Sequence, residues 1–203
     1  MEQIIETDGT QRWCKNGLLH RDNDKPAVVK TNGDQFWYQN DELHRDNDLP
    51  AIILSDGPQY WYQNGKLYRD NDQPNAIYND GTKEWYKNND THIIHRDNDL
   101  PALIKSNGTQ KWFQNGNLHR DNDLPAVIKF NGDLKWYQND YLHRNNDLPA
   151  VIKFKGDLKW YQNDNLHREN NKPAIINIDG SLEWYIKGVK QEDGEVDADY
   201  IKG

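Results

Sequence analysis

The stretch LHRDNDLPAVIKFNGDLKWYQND, residues 118–140, is followed at once by YLHRNNDLPAVIKFKGDLKWYQND, residues 141–164. Its glycine gives the ruler for the rest of the chain. Gly9, Gly33, Gly57, Gly81, Gly108, Gly132, Gly156 and Gly180 each stand four residues before a tryptophan: Trp13, Trp37, Trp61, Trp85, Trp112, Trp136, Trp160 and Trp184. The period is 24 residues, with one interval of 27 between Trp85 and Trp112, where KNNDTHIIHRDND carries three more residues than QNGNLHRDND. A fixed period of this size is the signature of a repeat architecture in which each unit packs on its neighbours.

Within one unit, glycine, proline and Asn-Gly or Asn-Asp pairs recur every seven to ten residues. That spacing leaves no room for a stable helix. Strands fit: PAVIKF and DLKWYQ flank Asn131-Gly132, while KWYQ and YLHR flank Asn139-Asp140. Both pairs tolerate the positive φ of tight hairpin turns. With two-residue turns at both places, Val127 lies opposite Trp136 and Ala126 opposite Tyr137. Trp136 then faces His143 and Tyr137 faces Leu142, so Val, Trp and His share one face and Ala, Ile, Tyr and Leu the other.

The expected fold is all-β: an elongated single-sheet antiparallel meander of hairpin repeats. A parallel β-helix would also align the tryptophans, but it would stack the arginines of RDNDLP about 4.8 Å apart as a like-charge ladder. In the meander, equivalent residues sit roughly 10 Å apart, and each Arg has room to reach an Asp of its own or the adjacent unit. The expected organisation is a partial unit over residues 1–8 and repeats over 9–188, with a three-residue insertion near 89–91. An acidic cap or tail follows over 189–203.

Only 34% of the 203 residues are hydrophobic, with a mean hydropathy of −1.15, so the apolar residues are spread thinly. Eight Trp and eleven Tyr at regular intervals nevertheless argue against disorder. A net charge of −8 disfavours nucleic acid and gives no strong membrane signal, because both kinds of surface attract clustered Lys and Arg. The single cysteine, Cys14, fills a slot that is aromatic in most copies and permits no internal disulfide. The first nine residues lack the basic start and apolar run of a secretory signal, so an intracellular, cytoplasmic location is expected.

Three sets of residues are candidates for chemistry. Trp37, Trp61, Trp85, Trp112, Trp136 and Trp160 form an aromatic stripe. If one sheet face is left uncovered, that stripe becomes a binding surface together with His44, His119 and His143. The Asp-Asn-Asp runs, represented by Asp46 with Asp48 and Asp121 with Asp123, place carboxylates two residues apart as calcium loops do. They lack the further acid and the glycine of a complete EF-hand loop, and a capped turn with an Arg-Asp pair is the simpler reading. The histidines recur too far apart to converge on one zinc ion, Tyr68 fills one of their slots, and a structural row packed beside Trp is the simpler reading. Every acid, His and Arg comes in serial copies, whereas a catalytic centre gathers dissimilar groups around one reacting atom. No enzymatic activity and no cofactor are expected.

NGNLHRDNDLPAVIKFNGDLKWYQN resembles the MORN repeat, with its Asn-Gly turn, a following His, and a Gly turn before an aromatic strand. The glycine after that His is Arg here, and RDNDLP is additional. The HRDNDLPA version is similar to repeats of giant DNA viruses of amoebae, which would place the protein in host cytoplasm or virion. The resemblance covers roughly residues 9–188. It implies one hairpin per unit in a twisted sheet, and attachment to protein or membrane rather than catalysis. The expected role is therefore a protein-protein interaction or scaffold module, and self-association through sheet edges or an exposed face is compatible with it. A small-ligand or glycan binder with aromatic pockets between repeats is the first alternative, since WYQNG also looks like part of a choline-binding repeat. A calcium-stabilised module is the second.

Overall fold

A computed structural model describes residues 1–87 and 92–192. The insertion expected near 89–91 and the tail beyond Glu192 lie outside the described residues. The chain is all-β and antiparallel, with a link that recurs about every 24 residues. It divides into two compact units, residues 1–97 with 102–106 and residues 98–101 with 107 onward.

In the first unit a ladder runs strand to strand through Glu2–Ile5, Gln11–Lys15, Val28–Val29, Gln35–Phe36, Ile52–Ile53, Gln59–Tyr60, Ala76–Ile77, Lys83–Glu84 and Leu103–Ile104. In the second unit it runs through Gln110–Lys111, Val127–Ile128, Leu134–Lys135, Val151–Ile152, Leu158–Lys159, Ile175–Ile176 and Leu182–Ile186. Neither ladder closes on itself among the described residues. A small hairpin branches off after each tryptophan, such as Tyr62–Gln63 with Lys66–Leu67 and Tyr137–Gln138 with Tyr141–Leu142.

Tryptophan is the corner where the two parts meet. The Trp136 amide donates to the Ala150 carbonyl at 2.9 Å, while the Trp136 carbonyl accepts from the His143 amide at 3.1 Å. One backbone group serves the ladder and the other serves the hairpin. The alanines on the ladder side, including Ala51, Ala126 and Ala150, are fully buried, which leaves no volume for a larger side chain. Asn75 takes that slot once, and its buried amide oxygen accepts the Tyr86 N–H at 2.8 Å.

The two turns of a unit differ in kind. Asn139 and Asp140 both have positive φ, 50° and 70°, and close a two-residue turn with Tyr137 opposite Leu142, as expected. At Asn131-Gly132 only the glycine is left-handed, at φ 87°. The Gly132 amide donates to the Lys129 carbonyl and the Lys129 amide to the Asp133 carbonyl, both at 2.9 Å, so the loop has three residues. This is a type I turn followed by a left-handed glycine. The extra residue shifts the expected register by one: Val127 lies opposite Lys135, not Trp136, and Ile128 opposite Leu134. Val therefore shares its face with lysine, and the expected grouping of Val with Trp is corrected.

Asp140 also ties one hairpin to the one before. Its amide donates to the Leu118 carbonyl at 3.0 Å, and its Oδ1 accepts the Leu118 amide at 2.7 Å. Asp164 repeats the arrangement with Leu142. Asp140→Ala is expected to cost about 1–2 kcal/mol, from a left-handed residue with a Cβ and a lost bond. Asp140→Gly should cost less, since Gly65 holds the same place with the amide bond alone. Urea midpoints of the two variants test the order.

Candidate functional site

The residues singled out by sequence meet where RDNDLP of one repeat lies over the tryptophan of the next. Within the loop, Asn122 and Asp123 both have positive φ, 58° and 55°, and the Leu124 amide donates to the Asp121 carbonyl at 3.2 Å. The second Asn-Asp pair of each repeat is thus another tight turn, built from residue types that tolerate left-handed backbone.

That turn presents two acceptors to the next repeat. The Trp136 indole Nε1 donates to the Asp123 carbonyl at 2.9 Å. Arg144 lies over the Trp136 ring, its guanidinium carbon 3.8 Å from the centroid. The same guanidinium donates from Nε and Nη2 to the two Asp123 carboxylate oxygens at 2.8 and 2.7 Å, and from Nη1 to the Pro149 carbonyl at 3.2 Å. One planar fork therefore stacks on an indole, pairs bidentately with the preceding repeat and closes its own loop.

The assembly recurs through the chain. Arg45 pairs with Asp24, Arg69 with Asp48, Arg96 with Asp72, Arg120 with Asp99 and Arg168 with Asp147. The separation is 21 residues except for Arg96 and Asp72, where it is 24. The pair thus forms across the three additional residues of the sequence. Hydrogen bonds from Arg hold the carboxyls of Asp24, Asp48, Asp99 and Asp123 below their ordinary range. Arg168 and then Lys172 bring Asp147 down to about 2.

Each candidate residue can now be placed. Trp37, Trp61, Trp85, Trp112, Trp136 and Trp160 are 6–7% exposed, covered by the arginine and the preceding loop. The tryptophan face is the covered one, so the condition under which these rings would form an open stripe is not met. His44, His119 and His143 also link repeats. The Nδ1 of His119 accepts the Asn139 amide at 3.2 Å and that of His143 accepts the Asn163 amide at 3.3 Å, while Nε2 faces Asp121 and Asn145. His44 makes the same contacts with Asn64 and Asp46. Tyr68 holds the slot once and donates its hydroxyl to Asp70.

The two acids of a run have different partners. Asp46 is held by His44 and Gln39, and Asp48 by Arg69; Asp121 is held by Gln114 and His119, and Asp123 by Arg144. Among the described residues no three His, Cys, Asp or Glu side chains converge on one point.

The arginine stack was not read from sequence. Its signal is the constant eight residues from Trp to Arg, interrupted only between Trp85 and Arg96. Also missed were the positions that differ from copy to copy. The residue just before Trp is Arg12, Phe36, Tyr60 and Glu84 in the first unit and Lys111, Lys135, Lys159 and Glu183 in the second. In the first unit Tyr78 and Tyr86 donate their hydroxyls to Glu84, and Tyr78 meets Tyr60 edge-on at 6.1 Å. Burial and this carboxylate push both tyrosine hydroxyls upward. An open groove of about 540 Å³ lies beside them, lined by Asp56, Pro58, Tyr78, Asp80, Glu84 and Lys105.

A scan against protein-family models finds no match to this chain, and a search of curated proteins finds none of significant similarity.

Proposed function

We propose that the protein is a non-enzymatic interaction or scaffold module. The supporting observation is a division of labour along the repeat. The positions that stay alike from copy to copy (Trp, His, Arg, the second Asp and Ala) are occupied in linking one repeat to the next. Among the positions that vary, the residue before each tryptophan alternates with it along the strand and so lies on the opposite face of the ladder. Serial copies of the same groups supply no asymmetric centre for catalysis. The resemblance to MORN-type repeats, associated with attachment to other macromolecules, supports the same class.

The test is capture of a defined macromolecule by the full chain, repeated with substitutions at varying positions on each ladder, such as Tyr60→Ser and Lys135→Met. Loss of capture at an unchanged melting temperature supports the reading; capture indifferent to every such substitution contradicts it. A small-ligand role is the second reading, favoured by the groove beside Tyr78 and Glu84. Its test is a change in tyrosine fluorescence on titration with amines or sugars, absent in Glu84→Gln.

A further inference from the structure

The second unit carries a cationic face in a protein whose net charge is −8. Directly opposed residues in neighbouring strands share a face. The register across this ladder reads Lys111, Val127, Lys135, Val151, Lys159, Ile175. Lysines therefore alternate with valines that are only 3–5% exposed. Lys111, Lys135 and Lys159 are themselves half-buried beside the valines. Two residues beyond Val127 and Val151, on the same face, stand Lys129 and Lys153. The positive charges of Lys129, Lys153 and Lys111 act on Lys135 and, after burial, hold its ammonium below the usual lysine range. Asp133 and Asp157 are acids within this group, and Glu183 ends the row opposite Ile175. Asp133 is buried and bound by Lys153 at 3.1 Å and by the Phe154 amide at 3.0 Å, Asp157 accepts the Ile178 amide at 2.9 Å, and Glu183 pairs with Lys190 at 2.9 Å.

The rim of the same ladder also changes. At the hairpin tips the first unit carries Thr31, Ser55 and Asn79, whereas the second carries Phe130, Phe154 and Ile178. These three are 68%, 75% and 68% exposed, although phenylalanine and isoleucine lose most by facing water. Phe154 leans over Gly132, where a Cβ would sit 2.8 Å from its ring, and Ile178 leans over Gly156. These two tip side chains thus each lie over the glycine of the tip before their own.

The geometry points to this lysine face as a docking surface for an extended acidic segment of a partner protein, with apolar side chains of that segment resting on Phe130, Phe154 and Ile178. The inference rests on the module reading above and names its contact surface. Lys111, Lys135 and Lys159 are each two strands apart, about 10 Å, close to the roughly 9 Å that three residues span in a polyproline II segment, whose three residues per turn point every third side chain the same way. In that conformation an acid at every third residue meets each lysine of the row. A short peptide satisfies the patch without meeting the rest of the molecule. Nucleic acid or an anionic bilayer, being extensive, would also face a protein that is acidic overall.

The test uses the full chain and a fluorescent peptide of about nine residues repeating Glu-Leu-Gly, which in polyproline II conformation places its acids about 9 Å apart on one side. A Gln-Leu-Gly peptide, a single-stranded oligonucleotide and phosphatidylserine vesicles are the comparators. Binding of the Glu peptide by anisotropy is expected, weakening with salt and absent for the Gln peptide. The pair Lys135→Met and Lys159→Met keeps the aliphatic stems and should weaken binding by about tenfold. Lys66→Met with Lys83→Met in the first unit should leave it unchanged. On binding, Lys135 should titrate at higher pH, as an anion relieves its crowding. Failure of the Glu peptide to bind overturns the inference, as does equal binding of the Gln peptide, indifference to the double variant, or tighter lysine-dependent binding of oligonucleotide or vesicles. Capture of a partner that depends on Tyr60 but not on Lys135 leaves the module reading standing and removes this surface from it.

Discussion

Trp136→Ala is expected to destabilise the second unit by about 3–5 kcal/mol, the range for deleting a large buried aromatic. The indole is 7% exposed, so its removal leaves a cavity rather than an accessible dent. Two further losses follow from what the ring supports. The Asp123 carbonyl loses the indole N–H, and the Arg144 guanidinium loses the surface on which it lies. Because a repeat protein is held by nearest-neighbour contacts, the damage concentrates where Trp136 joins its neighbours. Amide exchange should quicken first around Ala126, Ala150 and His143. Trp136→Phe separates the contributions, since it keeps a ring for Arg144 and loses the indole bond; about 1–2 kcal/mol is expected. Denaturant midpoints of the two variants check the order, and an alanine variant as stable as the parent would contradict the packing described.

The second large effect is acid unfolding. Asp24, Asp48, Asp99, Asp123 and Asp147 all have carboxyls held below 3.8 in the fold, chiefly by hydrogen bonds from Arg. A carboxyl depressed by folding contributes stability that is fully present above its unfolded value and is lost as pH falls through its folded value. Stability should therefore be level above about pH 5 and fall from about pH 4 downward. The loss should be complete only near the Asp147 value of about 2. Each proton added at one of these sites removes the charge that holds an arginine to the preceding repeat, so the losses accumulate along the chain. Five half-exposed pairs each contribute modestly; their number makes the effect large. Circular dichroism at constant ionic strength from pH 7 to pH 2 measures it. A protein equally stable at pH 2 and pH 7 would contradict the assignment. Asp123→Asn should remove one step and leave the remaining profile in place.

The hairpin repeat was legible because Asn139-Asp140 and the spaced glycines allow few alternatives to tight turns. The register at Asn131-Gly132 was not. Asn-Gly serves both a two-residue turn and a three-residue loop ending in left-handed glycine, and the two differ by one residue. That single step puts Lys135 opposite Val127 and turns Trp136 away from it. The covering of the tryptophans depended on a contact that local sequence does not display. Arg144 reaches Trp136 eight residues back and Asp123 twenty-one residues back, and only folding brings the three together. His119, read either as part of a binding face or as one of a structural row beside Trp, accepts an amide twenty residues ahead. Residues that repeat most faithfully drew attention as candidate chemistry, yet their fidelity reflects the joint they form. In the proposed interaction module, the slots that vary, such as Tyr60 and Lys135, are the ones to carry recognition.

Trp37, Trp61, Trp85, Trp112, Trp136 and Trp160 are each shielded beneath an arginine and the preceding loop. Quenching of intrinsic tryptophan fluorescence by acrylamide tests this most directly, compared between native protein and protein in concentrated urea. Strong shielding in the native state, removed by urea, is the predicted result, with the remaining native quenching traced to Trp13 and Trp184 by their replacement with phenylalanine. Native tryptophans quenched as readily as those of the unfolded chain would contradict the account.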